Sequence, residues 1–235
     1  KIMYPYGLYF DRTYILVLIG LVISMLAQAN INAKFNKYKK IRSKRGITGA
    51  EAAQRVLDYN NYNDIKIKRV RGSLSDYFNP MTRQVALSDT SFKDSSIASL
   101  AVALHEVGHV IQFKEGYIPL KIKSYIVPAV NFGSKISLPV LILGSIMSHQ
   151  SLINIGLALF SLTLIFQLVT LPVEFDASKR AISALERSQI LDQSEIPGAR
   201  EMLRSAALTY VAATITTALQ VLRLFLLFGN MNRRD

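Results

Sequence analysis

The sequence predicts a mainly α-helical membrane protein with about four transmembrane helices and a small α+β domain. Three stretches without any charged side chain support the membrane assignment, at residues 13–33, 136–173 and 205–222. The first stretch has 21 residues, which at about 1.5 Å per residue reach roughly 30 Å, the thickness of a bilayer's hydrocarbon core. The charged residues are concentrated between these stretches, so part of the chain has the composition of a soluble domain.

A basic cluster directly follows the first apolar stretch and predicts how the chain is oriented. Its members are Lys34, Lys37, Lys39, Lys40, Arg42, Lys44 and Arg45. Lys and Arg accumulate on the cytoplasmic side of membrane spans, where anionic lipid attracts them. We therefore expect a multi-pass cell-membrane protein, with the lipid bilayer as a partner and the basic cluster in the cytoplasm. This placement accounts for the net charge of +12, and no nucleic-acid partner is predicted.

The segment after the basic cluster has the pattern of a folded domain. Thr48 followed by Glu51 is a capping box, which predicts a helix that begins there and runs to about Tyr59. Alternating residues predict short strands at 65–70 and 83–88, the first of them at a sheet edge or half exposed because Lys and Arg interrupt it. The absence of cysteine excludes disulfides and thiolate metal ligands.

The second apolar stretch, residues 136–173, is too long for one straight span. Its 38 residues would be almost twice as long as the bilayer is thick, so a hairpin that turns near residues 148–151 is the better account. The first arm must then begin at about Tyr125, which leaves Lys135 to snorkel or to line a cavity. We expect Pro172 to end the second arm.

These elements give a domain prediction in which membrane and cytoplasmic segments alternate. In chain order it comprises an N-terminal transmembrane helix (1–33), a cytoplasmic α+β domain (34–123), a transmembrane hairpin (124–172), a cytoplasmic helical segment (173–204), and a C-terminal transmembrane helix with a tail (205–235).

The motif His105-Glu106-Val107-Gly108-His109 lies in a helix predicted over residues 95–113. Two imidazoles four residues apart lie on one helix face, one turn apart, so both can reach a single zinc ion. Glu106 lies beside them, where its carboxylate can take a proton from a metal-activated water. The alternative is a pair of ordinary histidines satisfied by hydrogen bonds. Two of the chain's three histidines have this spacing, which favours the metal site.

A catalytic zinc site needs a third protein ligand besides the two histidines. His149 lies in the predicted hairpin turn, on the far side of the membrane from His109, and is a poor candidate. Glu174 and Asp176 follow the second arm, so two crossings return them to the side of His109. Glu174 is either a ligand or an acidic residue that complements the dipole of the helix after Pro172. Residue chemistry alone leaves both interpretations open.

Five segments resemble the YugP-type membrane zinc metallopeptidase family. They are RGITGAEAAQRVLD (45–58), LSDYFNPMTRQVALS (74–88), LHEVGHVIQ (104–112), LPVEFDASKRA (171–181) and AALTYVAA (206–213). The resemblance implies a bacterial Glu-zincin with a zincin-like domain around the HExxH helix and one Zn²⁺ per chain. It implies hydrolysis of peptide bonds in protein or peptide substrates, with His105, His109 and Glu174 as zinc ligands and Glu106 as the catalytic acid/base.

Two further predictions concern the substrate. Tyr210, near the start of the last span, is a candidate hydrogen-bond donor to the oxyanion that forms during peptide hydrolysis. The alternative is an aromatic residue at the membrane interface. The strand at residues 83–88 could pair with an extended peptide as an exposed sheet edge, with a structural strand as the alternative. Because the site would lie close to the bilayer, we expect membrane-associated protein substrates.

Two other functions are compatible with the same motif. In an intramembrane-cleaving protease, residues 95–113 would themselves lie in lipid, but the three apolar stretches contain no Asp or Glu to complete the site. A non-catalytic membrane scaffold or adaptor would retain zinc for structure. The presence of Glu106 argues against it, because a structural zinc site needs no base.

Overall fold

The computed structural model describes residues 11–229, which form two compact units. One unit contains the described residues as far as Ala27, Ile122–Thr170, and the described residues from Tyr210 onward; the other contains Gln28–Lys121 and Leu171–Thr209. The predicted domains extend beyond the described residues at both ends of the chain.

The elements are mainly helical, as predicted. In chain order they are α1 (Tyr14–Lys39), α2 (Gly49–Tyr59), β1 (Lys66–Val70), β2 (Tyr77–Asn79), β3 (Gln84–Ser88), α3 (Asp89–Lys93), α4 (Ile97–Lys114), α5 (Ile118–Ile146), α6 (Gln150–Arg187) and α7 (Ile196–Phe228). Helices α1, α5, α6 and α7 are long and apolar enough to cross a membrane, which confirms the predicted fold class. We call the unit that holds their most apolar parts the membrane unit, and the other the α+β unit.

Helix α2 begins where its capping box predicts. The Thr48 hydroxyl accepts a hydrogen bond from the Glu51 N–H, and the Glu51 carboxylate accepts one from the Thr48 N–H at 2.8 Å. These reciprocal bonds satisfy two backbone donors that the first turn of a helix leaves without partners.

The α+β unit contains a three-stranded sheet in the order β1-β3-β2. Strand β1 runs parallel to β3, and β2 runs antiparallel to it. Of the two interpretations of residues 83–88, the exposed sheet edge is therefore wrong and the structural strand is confirmed, because β3 is the central strand and its Val85 and Leu87 are fully buried. The edge strands are β1, as predicted, and β2, whose three residues are too few to show an alternating pattern.

Helix α4 lies inside the core of the α+β unit. Leu100, Leu104 and Val107, which share one face of the helix, have no exposed surface. On the opposite face Ala98 and Ala101 are equally buried and belong to the same apolar cluster. Their small side chains thus permit close packing of neighbouring elements.

In the membrane unit, α5 and α6 are joined by residues 147–149, at the predicted hairpin turn. A side chain at Gly156 of α6 would lie 2.6 Å from Cγ of Leu141 in α5, so the missing Cβ lets the two helices approach closely. Small residues serve this purpose in membrane helices, where packing rather than exclusion of water drives association.

The prediction that Pro172 ends the second arm of the hairpin is wrong. Helix α6 runs without a break from Gln150 to Arg187, with Pro172 inside it. Proline removes one backbone donor from a helix, but neighbouring groups can compensate for the loss. Beside the proline, the carbonyl of Val173 accepts a hydrogen bond from Gln112 of α4 at 2.8 Å, which ties this part of α6 to α4.

Candidate metal centre

Helix α4 places two imidazoles side by side. The helix begins after Ser96, whose hydroxyl accepts a hydrogen bond from the Ser99 N–H. His105 and His109 lie one turn apart, and their ring centroids are 4.8 Å from each other. Their side chains are only 15% and 13% exposed, so the rings are held within the fold and not in open solvent.

Helix α6 supplies a carboxylate to both rings. Oε2 of Glu174 lies 3.3 Å from Nε2 of His105 and 3.6 Å from Nε2 of His109. One ligand atom from each of the three residues lies within 4.8 Å of the others, and the Glu174 side chain is only 4% exposed. The structure thus brings together residues that are 65 positions or more apart in sequence.

The distances from Glu174 to the two imidazoles fit a zinc ion. Zinc–nitrogen and zinc–oxygen bonds of about 2.0–2.2 Å in a tetrahedron place neighbouring ligand atoms about 3.3–3.6 Å apart. The two distances from Glu174 Oε2 to the imidazoles, 3.3 and 3.6 Å, lie in that range. Two histidines and one carboxylate are also a donor set that zinc prefers, with a fourth position left for water.

Gly108, inside the motif itself, allows α4 and α6 to approach this closely. A Cβ at this position would lie 2.4 Å from the backbone oxygen of Ala177 and 3.0 Å from its carbonyl carbon. No side chain can occupy that space without moving one of the helices. The sequence carries a signal for such a contact, since a glycine inside a helix is unfavourable unless packing requires it.

Gln112 contacts the nitrogen of the His109 ring that does not face Glu174. Its Oε1 lies 3.0 Å from His109 Nδ1, while its Nε2 donates to the Val173 carbonyl and to Asp176 Oδ2, each at 2.8 Å. Because an amide oxygen can only accept, His109 donates from Nδ1. In the neutral ring this leaves the electron pair of Nε2 available to a cation. Gln112 is fully buried. Its position three residues after His109 could have identified it from sequence.

Ser178 has the equivalent position behind His105. Its hydroxyl lies 3.3 Å from His105 Nδ1. Ser178 follows Glu174 by four residues, so one face of α6 provides both the carboxylate and this outer contact. Hydrogen bonds of this kind fix the orientation of metal-binding histidines.

Glu106 lies in the same buried environment as the three-residue group. Burial raises the pKa of the Glu106 carboxyl, and the charges of Glu174 and Asp76 raise it further, while His105 and His109 oppose the shift. Asp76 is held in place by the Ser88 N–H, which donates to its Oδ1 at 2.8 Å. The sequence did not single out Asp76, because it precedes a strand too short to be predicted.

Burial and charge act in opposite directions on His109. Burial lowers the pKa of its imidazole, but the hydrogen bond to Glu174 and the charges of Glu106 and Glu174 outweigh burial, so the pKa is raised. The pocket therefore favours a positive charge at this position.

Three other residues considered from sequence lie outside the three-residue group. Asp176 accepts hydrogen bonds from Gln112 and from Arg180, its neighbour one turn along α6. His149 is exposed in the connection between α5 and α6, in the membrane unit. Tyr210 is half-buried in α7 and is also assigned to the membrane unit. Its role as a donor to an oxyanion stays a prediction.

Comparisons with known proteins assign the chain to one family. Residues 13–229 match the model of a family described as "Putative neutral zinc metallopeptidase". A protein of Bacillus subtilis (strain 168), named "Putative membrane protease YugP", is 40% identical over 221 residues, which cover 94% of this chain and 97% of that protein. No solved structure matches the chain.

Proposed function

The chain belongs to the family described as "Putative neutral zinc metallopeptidase" and is similar to YugP, and we propose that it is a membrane-bound, zinc-dependent endopeptidase that uses a water molecule to cleave peptide bonds. His105, His109 and Glu174 hold one Zn²⁺ per chain, and Glu106 is the acid/base. The observation that carries the proposal is the convergence of Glu174 on both imidazoles at 3.3 and 3.6 Å.

Each side chain has a defined task in this reaction. A bound zinc ion would polarise the scissile carbonyl and lower the pKa of a water molecule toward neutrality. Glu106 accepts a proton from the attacking water and returns it to the leaving amine. Gln112 and Ser178 keep the Nδ1 atoms of the two histidines engaged, so that each ring presents Nε2 to the cation.

Strand β2 is the better candidate for substrate binding now that β3 is known to be central. It forms an edge of the sheet, and its Phe78 packs against Phe113 of α4 with ring centroids 5.7 Å apart. An extended peptide could add to this edge through backbone hydrogen bonds.

The proposed substrates are membrane-associated proteins at the cytoplasmic face. Glu174 follows directly on the charge-free stretch at residues 136–173, and the basic cluster after the first span favours a cytoplasmic location. Helix α4 is enclosed by the α+β core, which argues against cleavage within lipid by this helix.

Substitution Glu106→Gln tests the function directly, because it preserves the shape of the side chain and removes the base. The purified full-length protein, loaded with zinc in detergent, is incubated with a membrane-protein fraction, and new protein N-termini are identified by mass spectrometry. We expect the variant to retain zinc and to lose about 10²- to 10⁴-fold in the rate of N-terminus formation.

The matched control is Glu115→Gln, which makes the same change at the exposed end of α4 and should leave the rate unchanged. If Glu106→Gln and the unmodified protein bind zinc alike and generate the same N-termini at the same rate, a non-catalytic zinc scaffold replaces the proposed peptidase.

A further inference from the structure

A lysine lies near the middle of a membrane-spanning helix. Lys135 is the only charged residue in α5 after Lys123. It lies twelve positions after Lys123 and eleven before Ile146, the end of the helix, or about 18 and 16 Å at the usual rise per residue. Lysines near the ends of a span can extend their charge to the interface. Lys135 is too central for that.

The side chain of Lys135 points away from the helices that α5 packs against. The inner face of α5 is marked by its buried residues, Val130, Gly133, Ser137, Leu141 and Gly144. Lys135 precedes Ser137 by two positions, which places it about 160° around the helix from that face. Lys135 and Asn131, one turn earlier, are both exposed.

Nothing in the described part of the chain satisfies this charge. Within residues 11–229, Lys135 makes no ion pair or side-chain hydrogen bond. Pro139 also lies inside the helix, and it cannot donate the usual hydrogen bond to the carbonyl of Lys135. The same position thus presents both a charged donor and a backbone acceptor. Charged residues within spans normally pair with other groups or face a polar cavity.

We propose that this face of α5 docks a transmembrane helix of another protein, and that the docked helix carries a carboxylate at the same depth. The face is formed by Asn131, Lys135, Leu138 and Ile142. Leu138 and Ile142 are 50% and 57% exposed and would provide apolar contact beside the ion pair. A carboxylate is the complement that Lys135 requires in a medium without water. The proposal is independent of the peptidase function.

A second copy of this chain does not fit the same face. The apolar stretches and the rest of α5 contain no Asp or Glu, so another copy has no carboxylate to offer at this depth. Two copies related by a twofold axis at this face would place their Lys135 side chains against each other. Charge complementarity therefore selects a different protein.

A designed transmembrane peptide can test the proposal. The chain has no cysteine, so Met147→Cys, at an exposed position beyond the end of α5, gives a unique site for a donor dye. The labelled full-length protein is reconstituted in phosphatidylcholine vesicles with acceptor-labelled Leu/Ala helices that carry Asp, Asn or Leu at the centre. Energy transfer then reports association.

We expect the Asp peptide to associate about five- to thirtyfold more strongly than the Leu peptide. Lys135→Leu should abolish the difference, and Lys135→Glu should transfer the preference to a peptide with a central Lys. Lys121→Leu, which removes an exposed charge near the start of the same helix, should have no effect. Equal association of the Asp and Leu peptides, an unchanged preference in Lys135→Leu, or Lys135-dependent transfer between two copies of the chain would overturn the proposal.

Discussion

At the scale of single residues, the geometry of the proposed metal site depends on side chains that hydrogen-bond the proposed ligands on the side away from the metal. Gln112 connects His109 to α6 through the Val173 carbonyl and through Asp176. All three contacts are buried or partly buried, where an unpaired polar group is costly. The orientation of His109 and the position of Glu174 therefore depend on the same amide.

Replacement of Gln112 by leucine should weaken zinc binding without removing a ligand. The ring of His109 would lose its hydrogen-bond acceptor, and the affinity for zinc should fall about 10- to 100-fold. Competition with a zinc chelator measures this change. Gln54→Leu, at an exposed position in α2, is the control. An affinity equal to that of the unmodified protein would show that Gln112 does not orient the ligand.

Residue spacing predicted only part of the site. His105, Glu106 and His109 could be placed relative to one another because the geometry of one helical turn is fixed. For the third ligand, the number of membrane crossings left Glu174 and Asp176 as candidates. The two differ by two positions, or about 200° around α6. Which of them faces the histidines therefore depends on how α6 is rotated about its own axis relative to α4. That rotation is set by tertiary packing.

At the scale of secondary structure, the contact between α4 and α6 is made by backbone against backbone. The space at Gly108 is filled by the oxygen, carbonyl carbon and Cα of Ala177. The sequence predicted a break at Pro172 instead of a continuous α6, since the loss of one backbone donor is visible in sequence while the contacts around the proline are not. Strand β2 was missed because three residues carry no periodicity.

Gly108→Ala should force α4 and α6 apart and so impair both folding and zinc binding. Overpacking typically costs about 1–3 kcal/mol of the free energy of unfolding. Because the clash is with backbone atoms, we expect the upper part of this range, which exceeds the gain in helix propensity of about 1 kcal/mol. A lower midpoint of thermal unfolding and a lower zinc content are expected. Because the contacting atoms are backbone, Ala177→Gly should not rescue the variant. Full rescue would contradict the proposed contact.

At the scale of the whole molecule, the thickness of the bilayer made the fold class predictable from apolar length alone. The predicted hairpin of α5 and α6 would supply two crossings between the histidine helix and Glu174, which predicts that both lie on the same side of the membrane. The geometry of the three-residue group agrees with this prediction, and the basic cluster predicts that the shared side is the cytoplasm.

Single introduced cysteines can show on which side of the membrane each segment lies, because the chain has no cysteine of its own. In intact cells, a membrane-impermeant maleimide should label Met147→Cys at the hairpin turn. It should not label Met81→Cys or Ser188→Cys, which are exposed positions in the α+β unit. Cell lysis should expose all three to the reagent. Labelling of Ser188→Cys but not Met81→Cys in intact cells would place the two halves of the site on opposite sides.

The zinc coordination of the purified protein tests the central claim most directly. Metal analysis should give one zinc ion per chain, and X-ray absorption should show two imidazole nitrogens and a carboxylate oxygen at about 2.0–2.2 Å from it. Glu174→Ala should lose the carboxylate and most of the metal, whereas Glu186→Ala, farther along α6, should retain both. A full complement of zinc in Glu174→Ala with unchanged coordination would contradict the assignment of His105, His109 and Glu174 to one cation.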